Sequence, residues 1–193
     1  MQTGCVYLIG AGPGDPELIT VRPDLNFVAI RGNVDTRLKK LETENLDGII
    51  LAAAGLNRLG LGDRIAEFID PDICLPAPGQ AALGIEMREG DEWITDLVGV
   101  LNCVETQQAV TAERAMLAAL GGDCSVPIGG YAAVDKAEVL LLSGVVATPD
   151  GRQVISERAE GQASSAEQLG ERVAKGLLKQ GAGVILDRDR RVR

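Results

Sequence analysis

Two rhythms of apolar and polar positions run along these 193 residues. Val6-Tyr7-Leu8-Ile9 predicts a strand, closed by the turn Gly10-Ala11-Gly12-Pro13-Gly14-Asp15-Pro16. Asn26–Ile30 predicts a second short buried strand. Arg31-Gly32-Asn33 then leads into a helix with Val34, Leu38 and Leu41 on one face. Asn33 suits its N-cap, because a side-chain oxygen there can accept orphan helix amides. Asp47–Ala52 reads as another buried strand feeding a short helix over Ala54–Leu59. Pro76-Ala77-Pro78-Gly79-Gln80 marks a turn or hinge, and Leu83–Met87 a strand.

From about residue 105 the rhythm changes. Ala109, Ala112, Met116 and Leu120 share a helix face that stops at Gly121-Gly122. Val126–Val134, Val139–Ala147 and Gln153–Arg158 predict three strands, the last two joined through Pro149-Asp150-Gly151. Ser164-Ser165-Ala166-Glu167 has the form of a capping box, ahead of a helix carrying Leu169, Val173 and Leu177 and ended by Gly181. Asp187–Arg191 reads as a solvated tail. The fold class is α/β plus α+β, in which a mixed-sheet domain is followed by a small three-stranded sheet with helices. The expected divisions are 1–21, 22–104, 105–187 and 188–193.

Composition narrows the function. A net charge of −9 argues against a general nucleic-acid surface. No apolar run approaches the roughly 18 residues of a membrane span. No basic region precedes the first apolar run, which argues against a secretory signal. The chain has no histidine, which removes the commonest general base and zinc ligand together. Cys5, Cys74, Cys103 and Cys124 are too scattered for a metal motif or a disulfide framework, so free thiols in a reducing cytoplasm are expected.

The chemistry that remains is anion binding. Arg31 stands where a strand meets a helix N-terminus, and Arg37 lies on that helix. Arg58 follows the next strand, at the carboxyl edge where α/β sheets usually bind ligands. Their guanidinium groups suit a polycarboxylate or phosphate, or are simply exposed helix residues. Cys124, in the loop Gly121-Gly122-Asp123-Cys124-Ser125, is either a nucleophile or attachment point or a small buried hydrophobe. Arg114 and nearby amides could favour its thiolate. The other three cysteines read as core filling. Glu86 and Glu113 read as ion-pair partners, Asp123 as turn chemistry, and Gln80 as a turn residue or a hydrogen-bonding group at the site's edge. The opening glycine loop is a weak nucleotide-site signal, lacking a complete Rossmann spacing.

Several segments occur together in one order: Arg22-Pro23-Asp24-Leu25, Arg31-Gly32-Asn33-Val34-Asp35-Thr36-Arg37-Leu38, Leu46–Ala52 and Ala54-Gly55-Leu56-Asn57-Arg58-Leu59-Gly60. Leu75–Gln80, Thr111-Ala112-Glu113-Arg114-Ala115 and Leu120–Gly129 follow. From Arg22 to about Leu186 the chain resembles the C-terminal half of the porphobilinogen deaminase (hydroxymethylbilane synthase) family. That resemblance implies a transferase of porphyrin and heme biosynthesis that condenses four porphobilinogens into hydroxymethylbilane, releasing ammonia at each step. It implies a dipyrromethane cofactor bound covalently through Cys124. Arg31, Arg37 and Arg58, with Gln80 at the edge, would bind the acetate and propionate groups of the cofactor and growing chain.

The resemblance also implies that no catalytic residue is present. The family's aspartate, which stabilises the positive pyrrole nitrogens, belongs to an N-terminal half that these residues do not match. Residues 22–104 would be a partial second domain with a returning piece of the first, roughly Pro76–Arg88. Residues 105–187 would be the third domain. Little deaminase activity is expected of the isolated chain, and the expected partners are porphobilinogen, polycarboxylate pyrrole chains, and a complementing N-terminal half or a second copy.

Val6–Thr20 is similar instead to the opening of uroporphyrinogen-III C-methyltransferase, whose loop helps form the S-adenosylmethionine cleft. So short a segment cannot make a methyltransferase domain. Two other readings stand beside the transferase: a non-catalytic tetrapyrrole-binding remnant and a methyltransferase fragment.

Overall fold

A computed structural model describes residues 30–121, 127–148 and 151–192, with side chains described to residue 187. Helix α1 (Val34–Thr43) begins as its sequence requires: the Asn33 side chain accepts a hydrogen bond from the Thr36 amide at 2.8 Å. Asp35 in the first turn and Lys40 in the last complement the helix dipole. Asn45, at a φ of 51°, turns the chain away. Helix α2 (Ala53–Arg58) follows, anchored by buried Leu51 and Leu56. A 3₁₀ turn at Gly62–Arg64 comes next. Helix α3 (Glu92–Gly99), which the sequence reading did not anticipate, is capped by the Asp91 side chain on the Ile94 amide.

The expected strands at 47–52 and 83–87 are absent. A strand needs a hydrogen-bonded neighbour, and no described residue supplies one to either segment. The mixed sheet expected in 22–104 is therefore not formed by the described residues there. The Asn26–Ile30 strand up to residue 29, and the Val6–Ile9 strand with its loop, lie outside the described residues.

The C-terminal region is built differently. Helix α4 (Val104–Ala119) leads through Gly121, at a φ of 64°, to a three-stranded antiparallel sheet. Its strands β1 (Ile128–Val134), β2 (Val139–Ala147) and β3 (Val154–Gln162) pair in chain order. Register is set by pairs such as Gly130↔Gly144 and Ser143↔Arg158. In the β1–β2 loop the Asp135 carboxylate accepts from the Ala137 and Val139 amides, at 2.8 and 2.9 Å. Leu140, Leu142, Gly144 and Val146 alternate inward along β2, the central strand.

Helix α5 (Ala166–Lys179) covers that face with Leu169, Val173, Ala174 and Leu177, all buried. Met116 and Ala112 of α4 complete the core. The two helices approach closely at Gly170, where a Cβ would collide with the Ala112 carbonyl oxygen. The capping box is not formed: Ser165 makes no side-chain cap bond, and a 3₁₀ turn (Ala163–Ser165) starts the helix instead. Gly181, at a φ of 102°, ends it as expected.

Asp187–Arg191, expected as a solvated tail, is helical through its backbone, and Asp187 is exposed. Helix α6 (Ala182–Val192) runs through it. Ala182, Ile185 and Leu186 are buried, and this i, i+3, i+4 set docks the helix and carries the charged residues with it. No helix among the described residues is long and apolar enough to cross a membrane.

Candidate functional site

The three arginines of interest sit on or beside α1 and α2. Arg31 precedes α1 and is exposed. Arg37 is half-buried in α1, and its Nε donates to the Gly32 carbonyl oxygen at 2.8 Å across a turn where Gly32 has a φ of 132°. Arg58 is exposed in the last turn of α2. The first turn of α1 lies beside α2, since a Cβ on Gly55 would sit 3.7 Å from Val34 Cγ2. The 3₁₀ turn is tied back to α1 by Arg64 and Glu42, 3.9 Å apart.

Carboxylate pairing divides the basic residues, and Lys39 on α1 has no partner among the described residues. Lys40, Arg64, Arg88 and Arg158 each have a carboxylate partner. Arg31 and Arg58 have no hydrogen-bond or ion-pair partner among the described residues. Two unpaired guanidinium groups in a chain of net charge −9 leave bidentate donor edges open to an added carboxylate.

Gln80 holds its own turn closed. Its Oε1 accepts from the Ala77 amide at 3.3 Å, closing the turn, and it also lines a cavity of about 420 Å³. Phe68, Ile69, Val110, Glu113 and Tyr131 are among the other residues that line it. Strain flanks the residue, with Gly79 at a φ of 76° and Ala81 at 69°.

Glu113 is the functional group that the sequence reading misjudged. Neither it nor the exposed Glu86 forms an ion pair among the described residues. Glu113 is 6% exposed, and its carboxylate accepts from the Gly79 amide at 2.6 Å and the Ala132 amide at 2.7 Å. The Gly130 amide adds a bond to the Pro76 carbonyl at 2.8 Å. The 76–80 turn is thus clasped onto the free edge of β1. Burial pushes the Glu113 carboxyl above the ordinary carboxylate range, against the lowering influence of the two amides. Its position between Ala112 and Met116, on the apolar face of α4, was a readable signal that it points inward.

The cysteines divide. Cys124 and Cys5 lie outside the described residues, as do Asp123 and Ser125. Cys74 is half-buried, and burial raises its thiol pKa. Cys103 is exposed at the start of α4 and does not fill the core, because the residue ahead of a helix has no covering layer here. Arg114 is exposed. No cluster of metal-ligating side chains occurs among the described residues.

Comparison with known proteins fits this arrangement. Residues 16–96 match the family model "Porphobilinogen deaminase, dipyromethane cofactor binding domain". Residues 107–179 match "Porphobilinogen deaminase, C-terminal domain". Both matched models describe domains of porphobilinogen deaminase. A porphobilinogen deaminase of Geobacillus sp. is 47% identical over 173 residues, covering 89% of this chain and 55% of the relative. That of Bacillus velezensis is 48% identical over 172 residues, covering 89% and 54%. That of Pelobacter propionicus is 46% identical over 171 residues, covering 89% and 55%. The chain belongs to the porphobilinogen deaminase family, and spans about half the length of these relatives.

Proposed function

We propose that this chain serves hydroxymethylbilane synthesis, the condensation of four porphobilinogens with release of ammonia, as part of a deaminase-type transferase. The observation that carries this reading is the pair of guanidinium groups, Arg31 and Arg58, without partners among the described residues and within the stretch matched by the cofactor-domain model. The donor set suits the group: a dipyrromethane carries acetate and propionate carboxylates, and planar guanidinium forks bind carboxylates bidentately. When bound, the cofactor supplies the pyrrole end that the first porphobilinogen extends. In this proposal Cys124 holds it by a thioether. Arg31, Arg37 and Arg58 bind its carboxylates, and Gln80 contributes a hydrogen bond at the edge.

The catalytic aspartate of the family comes, in this reading, from the portion of the family's sequence that these residues do not match. Residues 22–104 then act as the partial second domain with its returning piece, and 105–187 as the third. The setting is the cytoplasm, with free thiols. The likeness of residues 1–21 to a C-methyltransferase opening is read as a borrowed segment rather than as a second activity.

Intact mass of the purified chain, before and after Cys124→Ser, tests this. A dipyrromethane-sized adduct lost in the variant is the expected result. An unmodified mass, even after incubation with porphobilinogen and a source of the unmatched portion, favours the non-catalytic remnant. Retention of S-adenosylmethionine in place of a pyrrole adduct would favour the methyltransferase fragment.

A further inference from the structure

Segment 70–75 packs on the face of the sheet opposite α5. A turn preorganises it: the Asp70 carbonyl accepts from the Ile73 and Cys74 amides, at 2.8 and 3.0 Å, and the Asp70 carboxylate accepts from the Asp72 amide at 2.8 Å. The segment is held at two points. At one end Leu75 lies on Gly129, where a Cβ would come within 3.1 Å of Leu75 Cβ. At the other, Arg158 Nη1 meets Asp72 Oδ1 at 3.5 Å. Between these anchors the segment and the sheet leave a cleft of about 330 Å³. Register lays out its floor as three cross-strand pairs, Ala147↔Val154, Val145↔Ser156 and Ser143↔Arg158. Small side chains at Ser143, Ala147 and Ser156 keep the space open, and Ile73, Cys74 and Leu75 wall it.

We propose that this cleft binds a small carboxylate with an apolar body. Val145, Ala147, Val154 and Ile73 receive that body. Arg158 recognises the charge. Its pair with Asp72 is long and both side chains are mostly exposed, so the pair itself contributes little. It also occupies one guanidinium nitrogen only, and Nε and Nη2 have no partner among the described residues. A carboxylate can take that edge bidentately. The Ser143 hydroxyl stands across from Arg158, and that of Ser156 two residues before it on the same face. Neither hydroxyl has a partner among the described residues, so both are available to the occupant. Size sets the limit: about 150 Å³ holds a benzene ring, so a cleft of this volume takes roughly a dozen non-hydrogen atoms. The proposal does not depend on the cofactor reading, since Arg31, Arg37, Arg58 and Gln80 lie outside this lining.

Cys74 is a built-in reporter, because it lines the cleft and the exposed Cys103 does not. Alkylation of both thiols by iodoacetamide is followed by peptide mass in the full chain, titrated with 3-phenylpropionate or with its uncharged amide. The acid should slow Cys74 alkylation at least tenfold at saturation and leave Cys103 unchanged. The amide should bind about tenfold more weakly, on the scale of a lost charged hydrogen bond. Ser156→Leu, which fills the floor from an exposed position, should abolish the protection. Two variants of the ion pair separate recognition from scaffolding. Arg158→Gln should weaken the acid about tenfold, whereas Asp72→Asn should leave its binding equal or tighter, because a competing carboxylate is gone. Equal weakening by both variants would make the pair a strut and overturns the proposal. So does equal protection by the amide, protection that survives Ser156→Leu, parallel slowing of Cys103, or no protection of Cys74 at all.

Discussion

Leu142, Met116 and Val173 have no accessible surface, whereas Trp93, Leu83 and Ile73 keep about 70% or more of theirs. The first three belong to residues 105–187, where two helices close over one face of a three-stranded sheet. The others belong to residues 30–104, where only Leu51 and Leu56 are buried hydrophobics. Both regions have apolar residues at regular spacings, so hydrophobicity alone does not separate them. The difference is connectivity: each strand of the second region finds its neighbour within the next twenty residues or so, by short antiparallel turns. Parallel and mixed sheets need partners from far along the chain. The first region has strand-forming sequence without such partners among the described residues. The second region encloses a core of its own, and the first meets it at the 76–80 turn and at the Arg158–Asp72 pair.

The sharpest attempt to break this contrast is a pair of truncations. Leu142→Ala should cost about 2–5 kcal/mol, the usual penalty for emptying a buried leucine site. Trp93→Ala, although it removes a larger side chain, should change stability by no more than about 0.5 kcal/mol. Thermal unfolding of both variants checks this. Equal losses would mean that α3 has a core of its own.

The link between the regions is the next target. Glu113→Ala leaves the Gly79 and Ala132 amides without their acceptor. That should destabilise the chain by about 2–3 kcal/mol, with faster amide exchange at both positions. The raised pKa of Glu113 fixes the sign of a pH effect. The folded state holds this proton more tightly than the unfolded state, so the contribution is complete below the ordinary value of 4.5. It is lost as pH rises through the raised value. Glu113→Gln should flatten that part of the stability profile, as seen by denaturant titration at a series of pH values.

The smallest expected effect on stability is at the arginines. Arg31→Ala and Arg58→Ala should leave the unfolding midpoint nearly unchanged, since neither side chain has a partner to lose among the described residues. Each should weaken binding of a dipyrrole bearing acetate and propionate groups by roughly tenfold or more, on the scale of a lost charged hydrogen bond. A large stability loss with unchanged binding would assign them a structural role. Calorimetric titration beside thermal melts separates the two.

Local signals were legible wherever the deciding interaction is local. The Asn33 cap, the stop at Gly121, the end of α5 at Gly181 and the three-strand meander all follow from spacing within a few residues. The helix through the charged end was not legible as such, because three buried residues, Ala182, Ile185 and Leu186, dock it and its charges carry no helix signal of their own. The role of Glu113 was misread because its partners, Gly79 and Ala132, are 34 and 19 residues away.

The sequence by itself determined which segments prefer helix or strand, and where the charges fall along them, because propensity and charge are properties of nearby residues. Only the tertiary structure decided which strands formed, which carboxylate was buried and which apolar rows stayed bare. Each of those depends on a neighbour brought from elsewhere in the chain, and a hydrogen-bond donor or a buried methyl group counts only when that neighbour arrives.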